Sequence, residues 1–124
     1  MTNERIIVII EDDGFLQRLY ELKFVEQGFT VKAAVDGEKG LALVKEAKPL
    51  AVLLDLDIPK LSGLEVLNLI KSNEELKHIP VIILTNSSTQ ESVDKARSLG
   101  AADYLIKAHF LPSEVVAKVT ACLK

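Results

Sequence analysis

The chain has 124 residues and a mass of 13.6 kDa, which fits one domain over residues 1–124 because domains commonly contain about 100–150 residues. Hydrophobic residues make up 48% of the chain and charged residues 27%, a balance that excludes disordered, collagen-like and coiled-coil proteins. The net charge of −3 gives no general electrostatic reason for binding nucleic acid or anionic lipid.

Nothing in the sequence indicates export or membrane insertion. The single cysteine, Cys122, cannot form a disulfide within the chain. The first apolar run, residues 6–10, is shorter than the about 7–15 residues of a signal-peptide core and the about 20 of a membrane-spanning helix. We therefore expect a cytoplasmic protein that makes no membrane contact.

Short β-branched apolar runs alternate along the chain with segments of helical spacing. In chain order, the first half predicts a strand at 5–10, a helix carrying Leu16, Leu19, Tyr20 and Phe24 that ends at Gly28, a strand at 30–34, and a helix carrying Leu41, Val44 and Ala47 that ends at Pro49. The second half predicts strands at 51–54, 81–84 and 104–106, separated by helices carrying Leu64, Leu67 and Ile70, and then Val93, Ala96 and Leu99 before Gly100. The last helix opens at Leu111-Pro112-Ser113-Glu114 and turns Val116, Val119 and Leu123 inward.

This alternation predicts a flavodoxin-like, doubly wound α/β fold. The strands show little polar alternation, which is typical of parallel strands covered on both faces. We expect a five-stranded parallel sheet in the order 2-1-3-4-5 with five helices on its two faces. In such sheets the chemistry lies beyond the carboxyl ends of the strands.

Charged and hydroxyl residues follow four of the predicted strands directly. The first strand runs into Glu11-Asp12-Asp13, the third into Asp55, the fourth into Thr85 and the fifth into Lys107. In the predicted strand order these residues meet at one edge of the sheet. Taken singly each has an ordinary alternative: a solvated helix start, a loop acid, a strand-end hydroxyl and a surface lysine. Together at four strand ends they indicate a site.

Clustered carboxylates favour a hard divalent cation. Two unit charges about 4 Å apart repel by about 4 kcal/mol at an effective dielectric constant of about 20, so either one carboxyl stays protonated or a cation lies among them. The predicted ligands of Mg²⁺ are Asp12 and Asp55 directly, Glu11 directly or through water, and the backbone carbonyl of Asp57. Asp55 is then the candidate nucleophile for phosphoryl transfer, with Lys107 and Thr85 binding phosphoryl oxygens.

With these residues the chain resembles a response-regulator receiver domain, the phospho-accepting part of bacterial two-component signalling. The resemblance covers residues 5–123 and rests on the segments 6–13, 53–59 with Gly63, 83–85 and 100–107. It implies that Asp55 is the phosphorylation site, that Glu11 and Asp12 hold Mg²⁺, and that Lys107 pairs with the phosphoryl group. It also implies that Thr85 is the switch hydroxyl and Tyr104 the switch aromatic, and that the phosphoryl donor is a sensor histidine kinase or a histidine phosphotransfer protein.

The chain departs from the family pattern at two places. The family usually follows its lysine with proline, often after a cis peptide bond, whereas this chain reads Lys107-Ala108-His109-Phe110. A cis bond before a residue other than proline costs about 2.5–4 kcal/mol, so we predict a trans bond and a re-routed loop. The second departure is Asn86, where alanine or glycine is usual; we expect its larger amide to narrow access to the phosphoryl group or to donate a hydrogen bond to it. The resemblance also implies that Asp57 and Ser87 tune how fast the phosphoryl group is lost to water, since they occupy the positions that do so in the family.

The expected output surface comprises the fourth helix, the fifth strand and the fifth helix, and it carries Ser92, Lys95, Arg97, Tyr104 and His109. Because no output segment follows Lys124, the expected output is an unidentified partner protein and not direct binding to nucleic acid, with a homodimer as an open alternative. A piece cut from a longer regulator is also open.

Two other function classes stay open. Asp55-Leu56-Asp57 has the Asp-x-Asp spacing of a haloacid-dehalogenase phosphatase, but the Thr or Val that this class has two residues after its second Asp is absent, and the acidic pair precedes the nucleophile. A pseudo-receiver that is never phosphorylated and serves only as an interaction module fits the altered segment after Lys107, but it gives no reason for the acidic cluster.

Overall fold

Five parallel strands form one sheet in the order β2-β1-β3-β4-β5. The computed structural model describes residues 4–123. Along the chain the elements are β1 (Ile6–Ile10), α1 (Gly14–Glu26), β2 (Thr30–Ala34), α2 (Gly37–Ala47), β3 (Ala51–Leu54), α3 (Gly63–Lys71), β4 (Val81–Thr85), α4 (Gln90–Ser98), β5 (Asp103–Ile106), a 3₁₀ turn (Lys107–His109) and α5 (Pro112–Ala121). The predicted fold and strand order are confirmed. The predicted strand limits differ from these at three ends: β1 starts one residue later, β4 includes Thr85, and β5 starts one residue earlier.

Two apolar cores lie on opposite faces of the sheet, because successive side chains of a strand point to opposite sides. One face packs against α2, α3 and α4, and its strand residues include Val8, Ile10, Val52, Leu54, Val81 and Ile83. The other packs against α1 and α5, and its strand residues include Ile7, Ile9, Ala51, Leu53, Ile82 and Leu84. Strands covered on both faces in this way read as continuous apolar runs, and this explains why periodicity predicted them.

Local capping and close packing fix the loops at the carboxyl edge of the sheet. Asp13 is the N-cap of α1, and its Oδ1 accepts hydrogen bonds from the backbone N–H of Phe15 at 3.0 Å and of Leu16 at 3.1 Å. Gly63 begins α3 against the backbone of Asp55, where an added Cβ would clash with the Asp55 carbonyl oxygen. Only glycine permits this approach, so the loop after β3 is held tightly against the strand end.

Within residues 4–123, the helices all lack the combination of length and apolar character that crossing a bilayer requires.

Candidate phosphoryl-transfer site

The ends of four strands bring the predicted site residues to one edge of the sheet. Register pairs Ile10 of β1 with Leu54 of β3, so that Glu11 and Asp55 follow side by side. The backbone N–H of Asp55 donates to the carbonyl of Ile10 at 3.0 Å. Because β4 and β5 continue the same sheet, Thr85 and Lys107 lie at the same edge.

Lys107 joins the two buried carboxylates. Its Nζ lies 2.7 Å from Glu11 Oε1 and 2.7 Å from Asp55 Oδ2, and the three side chains are only 11%, 3% and 5% exposed. Burial alone lowers the pKa of the Lys107 ammonium, but the hydrogen bonds to Asp55 and Glu11 outweigh burial and raise that pKa above its ordinary value. Lys107 is therefore a permanent cation at neutral pH and, despite the altered residues after it, it reaches Asp55.

Each buried carboxylate also accepts one backbone hydrogen bond. The N–H of Asp13 donates to Glu11 Oε2 at 3.1 Å, and the N–H of Asp57 donates to Asp55 Oδ1 at 3.0 Å. Burial raises the pKa of Glu11, while the bonds from Lys107 and Asp13 lower it and the nearby Asp55 raises it further. The net shift is upward, so ionised Glu11 lies in an unfavourable environment that a cation would relieve.

The acidic residues can present a set of metal ligands. Carboxylate oxygens of Glu11, Asp12 and Asp55 lie within 4.8 Å of one another. A purely oxygen donor set, partly buried and partly open to solvent at Asp12, suits Mg²⁺, which binds few carboxylates and keeps several waters. One ammonium faces three carboxylates here, so the charges favour uptake of a dication. Asp57 is exposed at the margin of this cluster.

The loop between β4 and α4 is tied to β5 by a tyrosine. Thr85 is fully buried, and its Oγ1 accepts a 3.4 Å hydrogen bond from the N–H of Ser87. The half-buried Tyr104 donates its hydroxyl to the carbonyl of Ser87 at 2.7 Å. Ser87 Oγ in turn lies 3.2 Å from Ser92 Oγ on α4. Asn86, which lies between Thr85 and Ser87 in the chain, is exposed.

After β5 the chain makes one 3₁₀ turn instead of continuing directly into α5. The turn covers Lys107–His109, and Ala108 and His109 are exposed. Among the described residues there is no cis peptide bond, so the predicted trans bond after Lys107 is confirmed. On the predicted output surface, Lys95 and Arg97 of α4 are exposed and Ser92 is half-buried.

Sequence reasoning missed two α1 residues near this site. Gln17 Nε2 donates to the backbone carbonyls of Glu11 at 3.1 Å and Ala34 at 3.0 Å. Tyr20, predicted only as part of an apolar stripe, is buried within the electrostatic range of Lys107; burial raises the pKa of its hydroxyl. The position of Gln17 one turn after Asp13 was an available signal, because helical side chains lean toward the helix N-terminus.

Residues 7–120 match the family profile of the response regulator receiver domain. The transcriptional regulatory protein QseB of Haemophilus influenzae is 39% identical over 118 residues, which are 95% of this chain and 52% of QseB. The chain spans about half the length of the first curated relatives it matches.

Two solved structures illustrate the likeness in fold. The chemotaxis protein CheY4 of Vibrio cholerae has a TM-score of 0.89 and 21% identity, covering 97% of this chain and 99% of that one. The Mn²⁺-bound form of response regulator Rcp1 has a TM-score of 0.80 and 30% identity, covering 94% of this chain and 90% of that one.

Proposed function

The chain belongs to the response regulator receiver domain family, and from this membership we propose that it is a phospho-accepting switch whose acceptor is Asp55. The family consists of signalling switches and not of turnover enzymes, which leaves the phosphatase alternative without support. The observation that carries the proposal is the bridging contact of Lys107, at 2.7 Å, to both Glu11 and Asp55 beside the open carboxylate of Asp12.

Asp55 has the features of a nucleophile for phosphoryl transfer. Its carboxylate lies at the carboxyl end of the central strand β3, with one oxygen bonded to Lys107 and the other to the N–H of Asp57. In the proposed step a carboxylate oxygen forms a bond to phosphorus while the bond from phosphorus to the donor's imidazole nitrogen breaks, and that nitrogen takes a proton. The ammonium of Lys107 and the buried Thr85 hydroxyl are the proposed ligands of the phosphoryl oxygens. Phosphoryl transfer is accelerated mainly by groups that position the phosphoryl group and neutralise its charge.

Mg²⁺ is the proposed cofactor, held by Glu11, Asp12 and Asp55 with the backbone carbonyl of Asp57. When bound, the ion neutralises charge on the transferring phosphoryl group. The fit rests on the oxygen donor set and on the excess of negative charge in the cluster. A relative 30% identical to this chain is known in a Mn²⁺-bound form, which supports a divalent cation here.

Phosphorylation is proposed to act on the loop after β4 and on β5. A phosphoryl group adds about −1.5 to −2 charges at Asp55, which attracts the ammonium of Lys107 and the hydroxyl of Thr85. Thr85 accepts from the N–H of Ser87, and Tyr104 donates to the Ser87 carbonyl. A shift of Thr85 therefore alters the loop that Tyr104 holds, and the change reaches the face formed by α4, β5 and α5.

The proposed partners follow the family. The phosphoryl donor is a sensor histidine kinase or a histidine phosphotransfer protein, and the output is a protein that recognises the α4–β5–α5 face, with a homodimer as the alternative. QseB, a transcriptional regulator, is about twice as long as the aligned segment. The absence of direct nucleic-acid binding, predicted from the charge, and the cytoplasmic location both stay predictions.

Asn86 is proposed to restrict small phosphodonors, because its exposed side chain directly follows Thr85 in the chain. Replacing Asn86 with Ala should speed labelling of Asp55 by a small phosphodonor. Equal or slower labelling of the variant, followed by mass spectrometry over time, would contradict this. Asp57 and Ser87 are proposed to tune how quickly the phosphoryl group is lost to water.

The decisive test is incubation with a small phosphodonor and Mg²⁺, followed by intact-mass measurement. We expect wild type to gain one phosphoryl group, which alkali removes, and Asp55→Asn to gain none. Asp57→Asn is the matched control, since it neutralises the neighbouring acid and should still be labelled. A wild type that stays unlabelled supports the pseudo-receiver alternative, and labelling of Asp55→Asn places the acceptor elsewhere.

A further inference from the structure

One side-chain amide connects the acidic loop to the ends of two strands. Gln17 uses its Nε2 to donate to the carbonyl of Glu11 at 3.1 Å and to the carbonyl of Ala34 at 3.0 Å. The N–H of Glu11 also donates to the Ala34 carbonyl, at 3.0 Å. The residue after β1 and the last residue of β2 are thus held by both the backbone and Gln17.

The reach of Gln17 follows from its place in α1. Asp13 caps the helix, and the N–H of Gln17 makes one of the first helical hydrogen bonds, to the Asp13 carbonyl at 2.9 Å. Side chains in a helix lean toward its N-terminus, so a long polar side chain at this position extends over the first turn to the strand ends. Glu11 and Ala34 are buried, where an unpaired carbonyl would be costly.

The bond to the Glu11 carbonyl acts on Asp12 through the peptide plane. The carbonyl of Glu11 and the N–H of Asp12 belong to one rigid peptide unit. The Glu11 carboxylate is fixed by its own bonds to Asp13 and Lys107, whereas the Asp12 side chain is exposed. A carboxylate oxygen of Asp12 lies within 4.8 Å of carboxylate oxygens of Glu11 and Asp55. The orientation of this peptide unit sets the direction in which the Asp12 side chain leaves the backbone.

We propose that Gln17 is a positioning residue for the cation site: its amide orients the peptide between Glu11 and Asp12 so that the Asp12 carboxylate faces Glu11 and Asp55. This rests on the proposed function, since it assigns a residue that supports the Mg²⁺ ligands. Groups that orient metal ligands through hydrogen bonds typically change metal affinity by about 10–100-fold when they are replaced. We expect the lower end here, because Gln17 acts through the backbone.

The test replaces Gln17 with Met, which has a similar length and helix propensity but donates no hydrogen bond. The matched control is Gln27→Met, the same substitution at the exposed residue that ends α1 far from the site. Calorimetric titration with Mg²⁺ should give a Kd about 10-fold weaker for Gln17→Met and an unchanged Kd for Gln27→Met. Phosphorylation by a small phosphodonor should need more Mg²⁺ for half-maximal rate in Gln17→Met and recover the wild-type maximal rate at saturation.

A merely structural role predicts a different result. Gln17→Met would then have a lower unfolding midpoint with an unchanged Mg²⁺ Kd, and this outcome overturns the proposal. So does a maximal rate that stays low at saturating Mg²⁺. A wild type that binds no Mg²⁺ overturns the proposed function together with this inference, whereas normal binding by both wild type and Gln17→Met overturns the inference alone.

A measurement on wild type decides the matter if Gln17→Met does not fold. In a nitrogen–proton correlation spectrum, the side-chain amide of Gln17 should shift during Mg²⁺ titration with the same midpoint as the backbone amides of Asp12 and Asp55. The side-chain amide of Gln27 should stay in place. A Gln17 amide that does not move while Asp12 and Asp55 do would overturn the proposal.

Discussion

Neutralising Asp12 should stabilise the protein in the absence of Mg²⁺ and remove its stabilisation by Mg²⁺. The carboxylates of Glu11, Asp12 and Asp55 lie within 4.8 Å of one another, a separation at which two unit charges repel by about 0.9 kcal/mol in water and about 3.5 kcal/mol at an effective dielectric constant of about 20. Asp12 is exposed, so the repulsion in water, about 0.9 kcal/mol, applies to its pair with Glu11 and to its pair with Asp55. The ammonium of Lys107 offsets about half of this repulsion, which leaves about 1 kcal/mol to be gained by Asp12→Asn.

Urea denaturation followed by circular dichroism measures this effect. With a chelator present, Asp12→Asn should have a free energy of unfolding about 1 kcal/mol above that of wild type. Mg²⁺ at about ten times its Kd should then add about 1.4 kcal/mol to wild type and almost nothing to the variant, so that the order of stability reverses.

The control for this experiment is Asp94→Asn, the same neutralisation at an exposed position of α4. Asp94 accepts a hydrogen bond from Gln90, which an asparagine carbonyl can still accept, so its stability should change little and should not respond to Mg²⁺. If Asp12→Asn were no more stable than wild type without Mg²⁺, the carboxylates would not repel one another as the structure indicates, and the electrostatic reason for a cation would be lost.

Three further substitutions test other contacts. Lys107→Met leaves two buried carboxylates without their common cation. In urea denaturation without Mg²⁺, its free energy of unfolding should be about 3–5 kcal/mol below that of wild type. An unchanged free energy of unfolding would contradict this. Tyr104→Phe removes the 2.7 Å hydrogen bond to the Ser87 carbonyl and should lower the free energy of unfolding by about 1 kcal/mol. Backbone amides should then exchange faster only in the loop after β4. Unchanged exchange in that loop would show that the bond does not hold it. Lys60 has a φ of 73°, and Lys60→Gly should raise the free energy of unfolding by about 0.5 kcal/mol. The substitution relieves left-handed strain of about 1–2 kcal/mol, and the greater chain entropy of unfolded glycine offsets only part of this gain. A lower thermal unfolding midpoint would show that the Lys60 side chain contributes contacts.

Much of the fold followed from the sequence because one physical pattern dominates it. Strands buried on both faces must be apolar throughout, so Ile6–Ile10 and Val81–Thr85 were recognisable without any partner information. The rule that parallel strands share one carboxyl edge then placed Asp55 and Lys107 together, although 52 residues separate them in the chain. The chemical roles of these residues are not contained in that geometry and stay proposals.

Side-chain reach and local backbone form were harder to predict. The sequence did not show that Lys107 bridges two carboxylates at equal distance, since this depends on how the 3₁₀ turn of Lys107–His109 directs the chain. The place of Gln17 one turn after Asp13 was an available signal, but its hydrogen bonds run to backbone carbonyls, which every residue has, so the sequence did not identify its two partners. Lys60 lies in the left-handed region, which a lysine rarely adopts, so its backbone conformation could not be predicted from its residue type.

In the proposed switch, a change at one carboxylate would reach the face formed by α4, β5 and α5 without deforming the core. The ammonium of Lys107 lies 2.7 Å from both Glu11 and Asp55. A phosphoryl group on Asp55 would redistribute these two contacts and pull on the end of β5. Thr85 accepts a hydrogen bond from the N–H of Ser87, and Tyr104 of β5 donates one to the carbonyl of the same residue. Both effects therefore act on one short, partly exposed loop, while the strands beneath it are fully packed and resist displacement. In the proposed switch the loop and β5 are the elements that have two arrangements, and the sheet is the fixed frame against which they move.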